Sequence, residues 1–194
     1  KDCYNFDDFR RLAKKKLEKL QKDFLKNPFR NNVTGDPPAD QFDTLINLYY
    51  SGKLAEAEAA CKEILQTHPR SFKVINVLGA VFQGQGKSIE AIAAFDKAIE
   101  LNPSFPDAHN NRGSVLKELG RDEEALDSYN SAIKINPNYA EAYHNRGIVF
   151  RDRGRLEEAI DSYEKATLSK PDYAAAHSDK GTALKALGQL EQAL

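Results

Sequence analysis

Apolar positions along this chain follow two regimes. In residues 6–25, Phe6, Phe9, Leu12, Ala13, Leu17, Leu20 and Phe24 recur at helical spacing, and Lys14, Lys15, Lys16, Lys19 and Lys22 fall on the polar side. The pattern predicts a basic amphipathic helix within residues 1–30, capped by Asn5 with Asp8 following and ended at Asn27-Pro28. Residues 31–37, with Gly35 and Pro37, read as a linker. From residue 38 onward the pattern becomes periodic.

Prolines stand at 69, 103, 137 and 171, glycines at 79, 113, 147 and 181, and alanines at 57, 91, 125, 159 and 193. A second glycine series occupies 52, 86, 120, 154 and 188. Each series advances by 34 residues without a slip, and a fixed period of this length signals a repeat array. Each period reads as two helices. The first, about 107–118 in one unit, precedes a glycine turn at Gly120. The second, about 122–135, stops at Asn136-Pro137, because the residue before proline avoids the helical region. Gly113 and Ala125 are small where two helices approach closely. Phe95, Tyr129 and Tyr163 fill the gap between units, with Cys61 in their place in the first. Ala98, Ala132 and Ala166 follow the aromatics on the same helix face. Glu56, Glu90, Glu124 and Glu158 fall in the first turn of each second helix, where a carboxylate complements the helix dipole.

This period and residue pattern resemble the tetratricopeptide repeat family. The resemblance covers residues 38–194, as complete units 38–71, 72–105, 106–139 and 140–173 and a unit 174–194 cut off in its second helix. It is closest in Pro106-Asp107-Ala108-His109-Asn110-Asn111-Arg112-Gly113 and in Ala140-Glu141-Ala142-Tyr143-His144-Asn145-Arg146-Gly147. The first unit diverges, with Leu45 where the others have glycine, as terminal repeats often do. The resemblance implies an all-α fold, a right-handed solenoid of helix–turn–helix repeats with an extra N-terminal helix.

Charge and cysteine content narrow the setting. Lys and Arg number 28 against 29 Asp and Glu, a net charge of −1 that gives no reason to expect nucleic acid. The balance is uneven: residues 1–30 carry +5 and the rest −6. No apolar run approaches the roughly 18 residues of a membrane span, and no signal-peptide core is present at the start. Two cysteines, Cys3 and Cys61, in unlike segments form no disulfide framework and fit a reducing, cytoplasmic compartment. The sequon Asn32-Val33-Thr34 then reads as chance. The chain has no methionine and stops inside a helical pattern, which reads as a piece of a longer protein.

Catalytic readings fail on context. Gly84-Gln85-Gly86-Lys87-Ser88 ends like a phosphate-binding loop, but Val81 occupies the first glycine position and the segment joins two helices. His109 and His177 lie two periods apart, as packing positions, and no histidine pair has metal-ligand spacing. Cys61 takes a buried aromatic position, where a thiol is inert. The sequence thus predicts no catalytic residue, no metal and no cofactor.

The resemblance instead implies an inner surface lined by first helices and suited to an extended peptide. Carried over position by position, it nominates Tyr49, Tyr50, Asn76, Asn110, Asn111, Lys117, His144, Asn145 and Arg151 as peptide contacts. Some family members clamp a partner's terminal carboxylate with Lys-x3-Asn, Asn, and Lys-x3-Arg on successive first helices. None of the three frames here supplies the cations, since Asp107, Glu141, Ala175 and Phe42 stand in those positions. Others carry an asparagine ladder, which Asn111 and Asn145 match, with Asp43 and Asp179 in the same row and Val77 breaking it. The expected function is a non-catalytic scaffold binding a protein or peptide. Two alternatives stay open. The N-terminal layout is similar to bacterial arrays preceding a glycosyltransferase, sulfotransferase or hydroxylase-like domain, which makes the chain a substrate-positioning arm. In the other, copies assemble through the N-terminal helix or the uncapped last unit.

Overall fold

Glycine and proline set the helix ends. In the computed structural model, which describes residues 35–193 with side chains through residue 188, the described residues form nine α-helices and no strand. The helices are α1 Ala39–Tyr50, α2 Leu54–Thr67, α3 Phe72–Gly84, α4 Ser88–Leu101, α5 Pro106–Glu118, α6 Asp122–Ile135, α7 Ala140–Asp152, α8 Leu156–Ser169 and α9 Ala174–Ala193. The helix expected over residues 6–25 lies outside the described residues. None of the nine is long and apolar enough to cross a membrane.

Four of the turns within pairs are alike. Gly52, Gly86, Gly120 and Gly154 have φ between 69° and 73°, a left-handed conformation that side chains resist. The residue after each glycine donates its backbone N–H back across the turn, as Arg121 N does to Leu116 O at 2.9 Å and Arg155 N to Phe150 O at 2.9 Å. This satisfies carbonyls that the helix end leaves open. Each second helix of a pair then opens with an acidic residue in its first turn, and Glu124 takes two bonds from Arg121, at 2.7 and 2.6 Å.

The fifth glycine of this series behaves differently. Spacing predicts a turn at Gly188, yet α9 runs through it for 20 residues. The other turns are held by a 14-residue second helix packed back on the first.

The described helices divide between two compact units, Lys1–Ser104 and Phe105–Leu194. In the first, α1 packs on α2, α2 on α3 and α3 on α4; in the second, α5 to α9 pack in the same succession. The core of the pairs α3–α4, α5–α6 and α7–α8 is a ring set against a bare backbone. A Cβ at Gly79 would meet the Phe95 ring at 2.6 Å, one at Gly113 the Tyr129 ring at 2.7 Å, and one at Gly147 the Tyr163 ring at 2.6 Å. All three rings are buried, as are Ala98, Ala132 and Ala166 beside them. Gly181, the next in the series, meets nothing within 4 Å among the described residues.

Candidate interaction site

In the second unit the first helices α5, α7 and α9 share a continuous polar surface. Asn145 on α7 donates Nδ2 to Asn110 Oδ1 on α5 at 3.0 Å, and Asn110 donates Nδ2 to Asn111 Oδ1 at 3.4 Å. Asn110 is itself buried, 7% exposed, so it orders the row more than it offers a contact. Asn111 and Asn145 are half-buried, with an edge to solvent.

A second row alternates charge. Lys117 Nζ lies 3.1 Å from Asp152 Oδ2, and Arg151 donates to Asp152 Oδ1 at 2.9 Å and to Asp179 Oδ1 at 3.1 Å. Asp179 Oδ2 lies 2.8 Å from His144 Nε2, whose Nδ1 faces the Tyr173 hydroxyl at 3.2 Å. His144 is 8% exposed and its ring lies tilted by 56° to that of Tyr173, with centroids 5.0 Å apart. Desolvation opposes the Asp152 charge, but the bonds from Arg151 and Lys117 outweigh it and hold the carboxyl below its usual range. The same balance holds Arg151 above its usual range: burial works against the cation and the Asp152 bond prevails.

The structure therefore brings together six of the nominated residues, Asn110, Asn111, Lys117, His144, Asn145 and Arg151, on one surface of one unit. Tyr49, Tyr50 and Asn76 belong to the other unit. Tyr49 and Tyr50 meet edge to face at 5.4 Å between centroids, and Tyr50 is 80% exposed. Val77, which interrupts the asparagine row in sequence, is buried.

Sequence reasoning missed Asp152 and Tyr173 as members of this surface. For Asp152 the signal was a spacing of one period plus one residue, whereas Tyr173 meets His144 across 29 residues and carries no such signal. Asn110 to Asn145, Lys117 to Asp152 and His144 to Asp179 are all 35 apart, as is the Asp36 to Ser71 bond in the first unit. Neighbouring first helices meet one residue out of register with the repeat.

Among the described residues no group of His, Cys, Asp and Glu is arranged to hold a metal ion. The Cys61 thiol is buried, and desolvation pushes it up to about 12, so it carries no thiolate to react. Lys87, in the segment resembling a phosphate loop, follows the turn glycine Gly86, pairs with Glu58 at 3.1 Å and lies over the Phe82 ring.

Comparison with known proteins agrees with this architecture. A profile described as the TPR repeat, the tetratricopeptide repeat, matches residues 79–120, 113–150 and 147–188, together more than half of the chain. A crystal structure of MamA protein is 27% identical with a TM-score of 0.65, over 79% of this chain and 84% of that one. The first TPR domain of human RPAP3 is 28% identical with a TM-score of 0.61, over 65% of this chain and 99% of that one. The first TPR of Spaghetti (RPAP3), bound to the HSP90 peptide SRMEEVD, is 29% identical with a TM-score of 0.58, over 60% of this chain and 93% of that one. No curated protein sequence matches. By its 34-residue period, its glycine turns, its ring-against-glycine packing and three overlapping profile matches, the chain belongs to the tetratricopeptide repeat family.

Proposed function

We propose that this chain is a non-catalytic interaction module, and that the surface of α5, α7 and α9 binds an extended peptide. The supporting observation is the amide row. Asn145 Oδ1 has no partner among the described residues, so one edge of a pre-ordered amide faces solvent, ready for a peptide N–H. The RPAP3 domain bound to a peptide is a relative by fold and by 29% identity. The ligand here differs in what it must supply. Lys117 and Arg151 are each committed to an acid of their own chain, so a terminal carboxylate finds no idle cation among them. Recognition then rests on backbone amides, with Lys117 and Arg151 flanking.

The test is selection from a random peptide display library, followed by affinity measurement on the selected peptides. Asn111→Ala with Asn145→Ala removes two bonds worth about 1 kcal/mol each and weakens binding roughly thirtyfold. Amidating the peptide C-terminus leaves affinity unchanged. Failure to select any peptide, or equal binding by the double variant, refutes the reading.

Self-association is a second reading, supported by α9. Leu184 there is 48% exposed, beside the unfilled position at Gly181. Light-scattering mass that rises with concentration, and stays constant in Leu184→Glu, supports it.

A further inference from the structure

The first unit carries an exposed aromatic strip that nothing described covers. On α1, Phe42, Ile46, Tyr49 and Tyr50 fall at helical spacing on one side. The first three are half-buried, and Tyr50, 80% exposed, is the one large apolar side chain described as exposed in that unit. The neighbouring side of the helix is polar: Asp40, Asp43, Thr44 and Asn47 are all exposed there. Helix α1 contains two acids and no base. Asp43, seven residues before Tyr50, borders the aromatic strip.

The 34 residues preceding the described chain match this strip in both respects. Phe6, Phe9, Leu12, Ala13, Leu17, Leu20 and Phe24 supply an apolar stripe, and residues 1–30 carry a charge of +5. We infer that residues 6–25 of the same chain seat this stripe on α1 over Phe42, Ile46, Tyr49 and Tyr50, with their lysines toward Asp40 and Asp43.

Two arguments choose this occupant. The first is geometry. Thirteen residues separate residue 25 from α1, enough to reach roughly 40 Å when extended. Helix α1, at 12 residues, is only about 18 Å long, so the segment can lie along it in either direction. The second is concentration. A short tether holds a segment at an effective concentration on the order of millimolar, which outcompetes the same segment from a second copy at ordinary protein concentrations. The aromatic side, rather than the end of the array, is the seat. The positions through which α3 is buried in its own stack are polar in α1 and have no use for an apolar stripe. This inference concerns the first unit and stands apart from the peptide reading of the second.

Residues 1–194 contain no tryptophan, so Tyr50→Trp in that chain gives a single emission reporter on the strip. The expected result is a blue-shifted emission, poorly quenched by acrylamide. Adding Leu17→Asp and Leu20→Asp shifts it to the red and raises quenching severalfold, with the light-scattering mass monomeric in both. A second variant, Lys15→Glu with Lys19→Glu, leaves the stripe intact and produces a partial shift. Circular dichroism confirms that the repeats remain folded in each. A solvated indole at position 50 that the aspartates do not change overturns the inference. So does a blue shift that develops only as concentration and mass rise, which seats a second copy on the strip.

Discussion

The first repeat and those that follow it solve the same packing problem with opposite residues. In the later repeats, a glycine on the first helix admits a ring from the second: Gly79 with Phe95, Gly113 with Tyr129, Gly147 with Tyr163. In the first, the large residue sits on the first helix and the small one on the second, as Leu45 and Cys61, both buried completely. Exchanging the two sizes conserves the volume between the helices, and conserved volume is what a close-packed interior tolerates. The outward side of the first helix differs as well. Helix α3 buries Val74, Ile75, Leu78 and Val81, while one period earlier α1 exposes Asp40, Gln41, Thr44 and Asn47. The backbone period is the same, and the side chains decide whether stacking continues or stops. A polar outer face is what a terminal repeat requires.

The largest effect expected from disturbing this contrast is in the ring slots. Tyr163→Cys alone removes a fully buried ring and lowers stability by about 3 kcal/mol. Gly147→Leu alone overfills the same slot and costs about 2–3 kcal/mol. Combined, the two transplant the first repeat's solution, and chemical denaturation should show the double variant recovering more than half of the summed loss. Strict additivity would sink the size-exchange account.

Next in size is a reciprocal exchange on the stacking face. Val81→Asn places an amide at a fully buried apolar position and costs about 3 kcal/mol at most. Its counterpart Asn47→Val, at an exposed position, changes stability by less than about 0.5 kcal/mol. Equal effects at the two sites, measured by thermal melting, would mean that α1 is not an end.

The smallest effect concerns Glu58. Later repeats place Ile92, Leu126 and Ile160 at this position, whereas Glu58 is paired with Lys62 at 2.5 Å and Lys87 at 3.1 Å. The Lys62 bond, opposed by desolvation and joined by Gln85 and Lys87, holds the Glu58 carboxyl down at about 2. Its folded pKa lies below the ordinary 4.5, so the stabilisation is present above the ordinary value and is lost as pH falls toward 2. Solvent screening limits that contribution to about 1 kcal/mol. Glu58→Ile should therefore be near neutral at pH 7 and flatten this part of the acid profile. An unchanged acid profile would remove Glu58 from the account.

The regular parts of the fold were legible because they are dictated locally. Gly120 and Pro137 mark helix ends by backbone conformation alone, so the spans 107–118 and 122–135 read from spacing meet Pro106–Glu118 and Asp122–Ile135. The break expected at Gly188 did not appear, and α9 runs through it to Ala193. The candidate surface was half legible. Asn111 and Asn145 stand out as repeated amides, but the pairing of Lys117 with Asp152 depends on a one-residue offset between neighbouring helices that the 34-residue period conceals, and Arg151 meets Asp152 beside it and Asp179 28 residues on. The exchange of Leu45 with Cys61 was visible only as two separate departures until their shared burial joined them.

The alternating row from Lys117 through Asp152, Arg151 and Asp179 bears on kinetics. Cations already matched by acids of the same chain project little field beyond the surface, so a partner is not drawn in from a distance. Its arrival is governed by diffusion and orientation, with association constants of about 10⁵–10⁶ M⁻¹s⁻¹ rather than the far higher values of steered pairs. Added salt then changes the on-rate little, and discrimination between partners falls to how long each one stays.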